Sequence, residues 1–288
     1  MFCAATESAL HSFQQARGLR PVGFCDETTW LALVEASWKL GDRLLVLTSP
    51  NMRGDDVAEL QTMLARLGFD CGRPDGILGP GTARALLDFQ ANCGLPADGV
   101  CGATTVQALR RVSSQTGDGP GVAAVRELEF LRRGMTSLSD CRIAIGQFGG
   151  LSTLTRILAR ELRLAGATVI SFDEPDVFEQ ARSTNHFGAH AYLGFESSAE
   201  PVAIAHFYQV PTFESTGGKT LAKRIVEGLA AIPGLSPQVA GMRLPILRET
   251  KMPAVLCVIG PVRTSIDQAP AIAAAVLGAL SAWVSRRG

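Results

Sequence analysis

The sequence predicts an α/β domain with a mainly parallel sheet and flanking helices, preceded by small all-α modules. Two observations lead to this prediction. A stretch within the first third of the chain is repeated, and from residue 140 onward short apolar strands alternate with amphipathic helices. The length of 288 residues fits more than one domain. Apolar residues make up 47% and charged residues 19%, which is enough apolar material for packed cores rather than disorder.

The repeat is an alignment of residues 13–33 with residues 89–109. FQQARGLRPVGFCDETTWLAL matches FQANCGLPADGVCGATTVQAL without a gap, so that Phe13 pairs with Phe89 and Cys25 with Cys101. Two unrelated amphipathic helices would not share this many identities together with the turn between them. The first third of the chain therefore holds two copies of one structural unit.

Residues 50–113 predict one complete unit of three short helices. The first helix, 55–69, takes Asp55 or Asp56 as its N-cap and ends at Gly68. The turn cluster 74–82 leads into a second helix, and a similar turn leads into a third helix capped by Thr104. The apolar positions at helical spacing in the first helix are Val57, Leu60, Leu64 and Leu67.

This arrangement of LQxxLxxLGF followed by DGxxGPxT and GLxxDGxxGxxT resembles the peptidoglycan-binding type 1 module. The resemblance covers 50–113, whereas the earlier copy, 1–37, matches only the second half of such a module and lacks its first helix. Either the first module is truncated or the true start codon lies upstream of Met1. We expect the second, because a bundle without one helix exposes its core.

The resemblance implies that these modules recognise peptidoglycan fragments. A structural spacer or a protein-docking unit stays open as an alternative, because Asp-Gly turns form wherever glycine accepts a positive φ. The binding candidates lie in and beside the turns of the complete module, and they are Asp75, Gly76, Thr82, Phe89, Gln90, Asp98 and Gly99.

A connector, 114–139, precedes the second domain, 140–288. The stretch SSQTGDGPG predicts flexibility, and VAAVRELEFLRR predicts a short helix. In the second domain the predicted strands are 142–145, 167–172, 189–195, 201–209 and 253–260, and the predicted helices are 152–166, 176–188, 218–232 and 269–284. The last helix is shorter than the ~20 residues that a bilayer requires, so we predict a buried helix and no membrane span.

The second domain resembles the zinc-dependent N-acetylmuramoyl-L-alanine amidases of type 3. TNHFGAHAYLGFE (184–196) is similar to the family's AN-x-x-GAD-x-x-IS-I-H stretch, and LRETKMPAVLCVIG (247–260) to L-R-x-T-x-M-P-A-V-L-V-E-x-G. Taken with the tandem modules, the whole layout resembles the actinobacterial CwlM-type proteins. The resemblance implies a zinc site with three protein ligands and a carboxylate that takes a proton from water.

The implied metal and catalytic positions carry other residues. In IAIGQFGG (143–150), Phe148 stands at the position of the family's first histidine, Glu196 at that of the later histidine, and Val258 at that of the catalytic glutamate. The loop that carries the family's glutamate ligand is absent, because the chain runs almost directly from Gly150 into the next helix. We therefore predict no catalytic residue, no bound metal and no cofactor, with Phe148, Phe195 and Val258 packed together in the former metal pocket.

Other candidate residues are weaker. His186 and His190 have the spacing of two ligands on a helix, but HFGAH lacks the glutamate of HExxH. We predict that His206 is a surface or hydrogen-bonded core residue, and that Cys257, in an apolar strand, has an inert thiol. Arg248, with its neighbour Glu249, lines the former cleft or is a solvated surface charge.

These observations predict a catalytically inactive amidase homologue that regulates peptidoglycan biosynthesis in the cytoplasm. The resemblance implies the enolpyruvyl transferase of precursor synthesis and the lipid II export machinery as partners. The balance of 27 basic and 27 acidic residues argues against nucleic acid. The start MFCAATESAL lacks a secretion signal, and the odd count of seven cysteines without a CxxC pair fits a reducing compartment. The alternative is an active amidase with a metal site rebuilt from Glu196, His190, His206 or Asp173.

Overall fold

A computed structural model describes residues 2–114, 119–132 and 137–285. The chain divides into two compact units, Met1–Arg126 with Val210–Phe213, and Glu127–Gln209 with Glu214–Gly288. The helix predicted in the connector is present as α6, Val122–Arg132, but part of the stretch predicted to be flexible, 115–118, lies outside the described residues. In the described ranges, no helix has both the length and the apolar character needed to cross a membrane.

The first unit is mainly helical. The complete module contains the three predicted helices, with the aromatic rings of Phe69 and Phe89 meeting edge to face at 5.6 Å between centroids. In the first copy, 1–37, the described residues form two helices, as expected for a module that lacks its first helix. The helices are α1 Ala4–Ala16, α2 Glu27–Ser37, α3 Asp55–Arg66, α4 Pro80–Asn92 and α5 Ala103–Ser113.

Both N-caps predicted in the complete module are wrong. The N-cap of α3 is Gly54, which has no side chain, and Asp56 is instead buried in an ion pair with Arg43 at 2.7 Å. The N-cap of α5 is Gly102, so the helix begins one residue before Thr104. In each case a glycine precedes the helix. Gly102 has the extended backbone that is usual at a cap, whereas Gly54 has a φ of +159°, a conformation that residues with a side chain rarely adopt.

Some core residues of the complete module are more deeply buried than the residues that the repeat aligns with them in the first copy. Val106 is 4% exposed, but Trp30, the residue that the repeat aligns with it, is 61% exposed. Cys101 is buried and pairs with Leu45 in an isolated β-bridge, whereas its equivalent, Cys25, is exposed. The segment before α3 and α3 itself supply the cover in the complete module, through buried leucines that include Leu40, Leu45, Leu60 and Leu64.

The second unit is a mixed, mostly parallel seven-stranded sheet with helices on both faces, as predicted. The strand order is β2-β1-β3-β7-β4-β5, with β6 beside β4, and β4 runs antiparallel to β7. The strands are β1 Arg142–Phe148, β2 Thr168–Phe172, β3 Ala191–Ser197, β4 Ala203–Val210, β5 Phe213–Glu214, β6 Pro237–Met242 and β7 Ala254–Ile259. The helices are α7 Ser152–Leu164, α8 Val177–Phe187, α9 Thr216–Leu229, α10 Pro245–Glu249, α11 Val262–Asp267 and α12 Ala269–Ser285.

The two faces of the sheet differ. On one face, α7, α9 and α12 pack on alternate strand residues such as Ile143, Leu193 and Val255 to form the main core. On the opposite face, α8 and α10 contact each other, with α8 also against β1 and α10 also against β7. The predicted buried helix is α12, whose apolar side chains Ile272 and Leu280 belong to the main core.

Four of the strands and α-helices given above were not predicted from the sequence. The strand β6 contains a proline and a glycine, which disfavour a strand, and it forms because β4 offers it a parallel partner. The strand β5 has two residues, and the helices α10 and α11 have five and six, so none is long enough to show a period.

Candidate functional site at the carboxyl edge of the sheet

Phe148, Glu196 and Val258 lie side by side across three strands. Phe148 on β1 is in register with Glu196 on β3, and Glu196 is in register with Val258 on β7. All three strands are parallel, and neighbouring strands lie about 4.8 Å apart. The three residues therefore form one row at the carboxyl edge of the sheet, which we name the edge row. Each of the three is half-buried.

The edge row faces away from the main core. Phe195 and Cys257, one residue before Glu196 and Val258, are buried in that core. Successive side chains of a strand point to opposite faces, so Phe195 cannot pack with Phe148 and Val258. The predicted cluster of Phe148, Phe195 and Val258 is therefore wrong. The residue that extends the row on the far side of Val258 is Ile204 of β4, which is also half-buried.

A glycine turn follows the edge row on β1. Gly149 and Gly150 have φ values of +85° and +72°, a region that glycine enters without steric cost. Helix α7 begins at Ser152, with only Leu151 between it and Gly150, so the direct passage from the glycines into the helix is confirmed. The turn is held by Gln147, whose amide oxygen accepts the backbone N–H of Leu151 at 3.2 Å.

Beneath the edge row lies a buried polar pair that sequence reasoning missed. The hydroxyl of Tyr192 donates to the amide oxygen of Gln180 at 2.8 Å, and the Gln180 amide nitrogen donates to the carbonyl of Glu174. Burial raises the pKa of Tyr192, so its hydroxyl stays protonated. A Cβ at Gly146 would collide with both Gln180 and Tyr192. The signal in the sequence was the glycine inside a strand, which marks a close approach of another group.

The side chains in the part of the chain that the structure describes do not fit a zinc ion. No three His, Cys, Asp or Glu side chains come close enough there to hold a metal. Glu196 contributes one carboxylate, while the ring of Phe148 and the isopropyl group of Val258 have no lone pairs to donate. We therefore derive no catalytic step through a metal at the edge row.

The residues considered for a rebuilt metal site lie on separate elements. His190 precedes β3, at the end of that strand opposite Glu196, and its Nδ1 accepts the backbone N–H of Arg142 at 3.2 Å. Asp173 follows β2, where it accepts a hydrogen bond from Gln147 at 3.2 Å. His206 lies on β4 in register with Leu256, two residues before Val258. These positions do not converge on one point.

The remaining candidates have structural explanations. His186 and His190 are not on one helix face, because α8 ends at Phe187 and Gly188 adopts a left-handed conformation. Cys257 is buried, and burial raises the pKa of its thiol to about 12, so the thiol stays protonated. Arg248 is half-buried and pairs with Glu249 through Nε at 2.8 Å.

The binding candidates of the complete module belong to a repeated hydrogen-bond network. Gln90 accepts the backbone N–H of Gly99 at 2.9 Å, and its amide nitrogen donates to the hydroxyl of Thr105 at 3.3 Å and to Asp98 at 2.9 Å. The same Gln–Gly–Thr network occurs at Gln61, Gly76 and Thr82, and at Gln14, Gly23 and Thr29.

This network corrects the assignment of binding residues. Thr82, Phe89 and Gln90 are each at most 2% exposed, so their side chains hold the module together and cannot contact a ligand. Asp75 and Asp98 each accept a backbone N–H two residues later, at 2.9 Å, which is the bond that shapes an Asp-Gly turn. Gln61 was not singled out from the sequence, although it occupies the same place before its turn as Gln90.

Comparisons with known proteins find several similar chains. Residues 53–109 match the family described as a peptidoglycan binding domain. The spore cortex-lytic enzyme of Bacillus cereus is 52% identical over 56 residues, which span 19% of this chain and 22% of that enzyme. The solved catalytic domain of CwlV, an N-acetylmuramoyl-L-alanine amidase from Bacillus (Paenibacillus) polymyxa, aligns with 49% of this chain and 97% of its own, at 13% identity and a TM-score of 0.41.

One relative extends over both units. The protein named N-acetylmuramoyl-L-alanine amidase CwlM from Mycobacterium tuberculosis is 34% identical over 301 aligned positions. The alignment covers 93% of this chain and 74% of that protein. With this identity across both the helical unit and the sheet, the chain belongs to the family of CwlM-like N-acetylmuramoyl-L-alanine amidase homologues.

Proposed function

We propose that this amidase homologue is catalytically inactive and acts as a regulatory or binding protein in peptidoglycan biosynthesis. The observation that supports the proposal is the composition of the edge row, Phe148, Glu196 and Val258. These residues occupy the positions that the resemblance assigns to two histidines and a catalytic glutamate. The row keeps the geometry of a site at the carboxyl edge of parallel strands but supplies a single carboxylate.

The chemistry of amide hydrolysis explains why this composition argues against catalysis. A zinc hydrolase holds its ion with three protein ligands and leaves one position for water. It also needs a base beside that water. Glu196 alone cannot meet both requirements, and Val258 cannot accept a proton.

Two measurements on the purified full chain test catalytic inactivity. We expect no stoichiometric zinc by elemental analysis after equilibration with zinc and dialysis. We also expect no release of stem peptides from muropeptides. Stoichiometric zinc together with peptide release would reject the proposal.

A double variant provides a positive control for the zinc measurement. Phe148→His with Glu196→His places two imidazoles on neighbouring positions of the edge row. We expect this variant to retain more zinc than the unmodified chain, because imidazole nitrogen is a preferred zinc ligand. Equal zinc content in the two proteins would show that the assay, or the row geometry, is inadequate for the comparison.

The regulatory role requires a partner, and we propose the cytoplasmic enolpyruvyl transferase of precursor synthesis or the lipid II export machinery. The exposed free thiols of Cys3 and Cys25 are compatible with a reducing compartment. Adding the purified chain to purified enolpyruvyl transferase tests the first partner, and copurification from the native cell tests both. An unchanged transferase rate and no copurified protein of either class would reject this part of the proposal.

We propose further that the complete module recognises peptidoglycan fragments, supported by its match to the peptidoglycan binding domain family. Incubation of the full chain with purified sacculus tests this role. Retention on the sacculus that soluble muropeptides abolish would support it. A chain that stays in the supernatant would leave protein docking as the role of the module.

A further inference from the structure

We propose that the edge row binds an organic cation, an alkylammonium or guanidinium group carried on an apolar stem. The position of Glu196 leads to this inference. In the described part of the chain its carboxylate has neither a hydrogen-bond partner nor an ion-pair partner, although the residue is half-buried. Most other half-buried acidic groups of this protein are paired, as Asp55 is with Arg17.

The neighbours of Glu196 define the ligand. On one side, Phe148 is in register with Glu196, and on the other side Val258 and then Ile204 continue the row. A carboxylate beside an aromatic ring attracts a cation twice, once through charge and once through the electron-rich face of the ring. The aliphatic side chains offer a surface to methylene groups. Inorganic cations gain nothing from such walls, whereas a lysine-like or arginine-like group gains from all of them.

Each residue of the edge row is partly exposed, so a ligand can reach the row from solvent. The main core lies on the opposite face of the sheet, and the Tyr192–Gln180 pair fills the space beneath the row, next to Gly146. The turn Gly149–Gly150 next to Phe148 is exposed and adds no side chain that would cover the row. Asp173, the nearest acidic residue after β2, already accepts a hydrogen bond from Gln147.

This inference rests on the proposed non-catalytic role, because a zinc ion at the edge row would occupy the same place. The two proposals fail separately. Zinc content and peptide release test the first, and titration with amines tests the second. A protein without zinc that also fails to bind amines would reject the cation site and leave the non-catalytic role standing.

The experiment titrates n-butylammonium chloride into the 15N-labelled full chain and follows the backbone amides of Gly149 and Gly150, which adjoin the row. We expect saturable shifts with a dissociation constant of the order of millimolar. We expect n-butanol, which has the same stem without the charge, to give no saturable shift. Shifts by n-butanol equal to those by n-butylammonium would overturn the proposal, as would the absence of saturation with the amine.

Substitutions assign the binding to the row. Glu196→Gln keeps the shape and removes the charge, and we expect about five-fold weaker binding of n-butylammonium. Phe148→Leu keeps the bulk and removes the ring, and we expect a two- to five-fold loss. Glu200→Gln changes an exposed carboxylate four residues away and serves as the control with unchanged binding. Thermal unfolding verifies that each variant is folded, and equal affinity for Glu196→Gln and the unmodified chain would reject the site.

The source of the cation is distinguished by two further probes. A lysine capped as Nα-acetyl-lysine N-methylamide imitates a side chain of a protein, whereas free lysine carries its own carboxylate near the row. Tighter binding of the capped form identifies a basic side chain of a partner protein, and tighter binding of free lysine identifies a small molecule. Failure of both to compete with n-butylammonium would overturn the proposal.

Discussion

Replacing Gln61 with leucine should destabilise the complete module by about 3 kcal/mol. The Gln61 side chain accepts the buried backbone N–H of Gly76 at 2.8 Å and donates to the carbonyl of Ile77 at 3.0 Å and to the hydroxyl of Thr82 at 2.9 Å. Leucine matches its size but satisfies none of these groups. An orphaned buried donor costs about 1–3 kcal/mol, and the two further lost bonds add to that cost, while the apolar side chain offsets a part of it.

The measurement is urea unfolding combined with hydrogen exchange of peptides from 55–113, because a chain with two compact units need not unfold in a single two-state transition. Gln107→Leu is the matched control, since Gln107 is exposed on α5 and its replacement should change the free energy of unfolding by less than about 0.5 kcal/mol. If Gln61→Leu and Gln107→Leu differed by less than about 0.5 kcal/mol, the Gln–Gly–Thr network would have no part in holding the turns, and the reasoning would be refuted.

Three further predictions concern the helical modules, and the first two compare residues that the repeat aligns. At neutral pH iodoacetamide should modify exposed Cys25 long before Cys101, because burial raises the pKa of Cys101 to about 12, and peptide mapping showing equal rates would contradict this. Val106→Ala should lower the free energy of urea unfolding by about 2 kcal/mol, whereas Trp30→Ala should lower it by less than about 1 kcal/mol, because the Trp30 ring is mostly exposed. The reverse order would show that the Trp30 ring is buried in solution. Hydrogen bonds from the Val100 N–H and the Gln90 amide hold the pKa of Asp98 below 3.8, so the native state binds protons less readily than the unfolded state. That stabilisation is present above pH 3.8 and lost as pH falls through the lowered pKa. The difference in free energy of unfolding between the unmodified chain and Asp98→Asn should therefore shrink over this pH range. A constant difference in urea unfolding across the range would refute this prediction.

The fold was predictable because its signals are local and periodic. The alternation of strands and helices after residue 140 fixes which segments become β1, β3 and β7, and the apolar length of each strand fits burial on both faces. What could not be predicted was pairing. The strand β6 forms through its partner β4, and the antiparallel direction of β4 against β7 depends on how the chain returns after Ser197.

At the candidate site the sequence predicts residues but not their packing. Phe148, Glu196 and Val258 come from separate segments, and the structure places them in one row because the three strands are parallel and in register. The predicted cluster with Phe195 is wrong because Phe195 lies on the opposite face of the sheet from Phe148 and Val258, a difference that hydrophobicity alone does not reveal. The Tyr192–Gln180 pair could not be found from sequence, because its members lie on different elements and meet only through the close approach that Gly146 permits.

The position of the edge row explains why the residues of this row can vary without disturbing the fold. The residues that stabilise the sheet, such as Leu193 and Val255, lie on the face covered by α7, α9 and α12, whereas the edge row lies on the other face and is half-buried. A substitution at the row therefore removes little buried apolar area, and it creates no buried unpaired charge, the kind of change that costs several kcal/mol. The unpaired carboxylate of Glu196 costs little stability there for the same reason, because water can solvate it. A cation that binds at the row would take the place of that water.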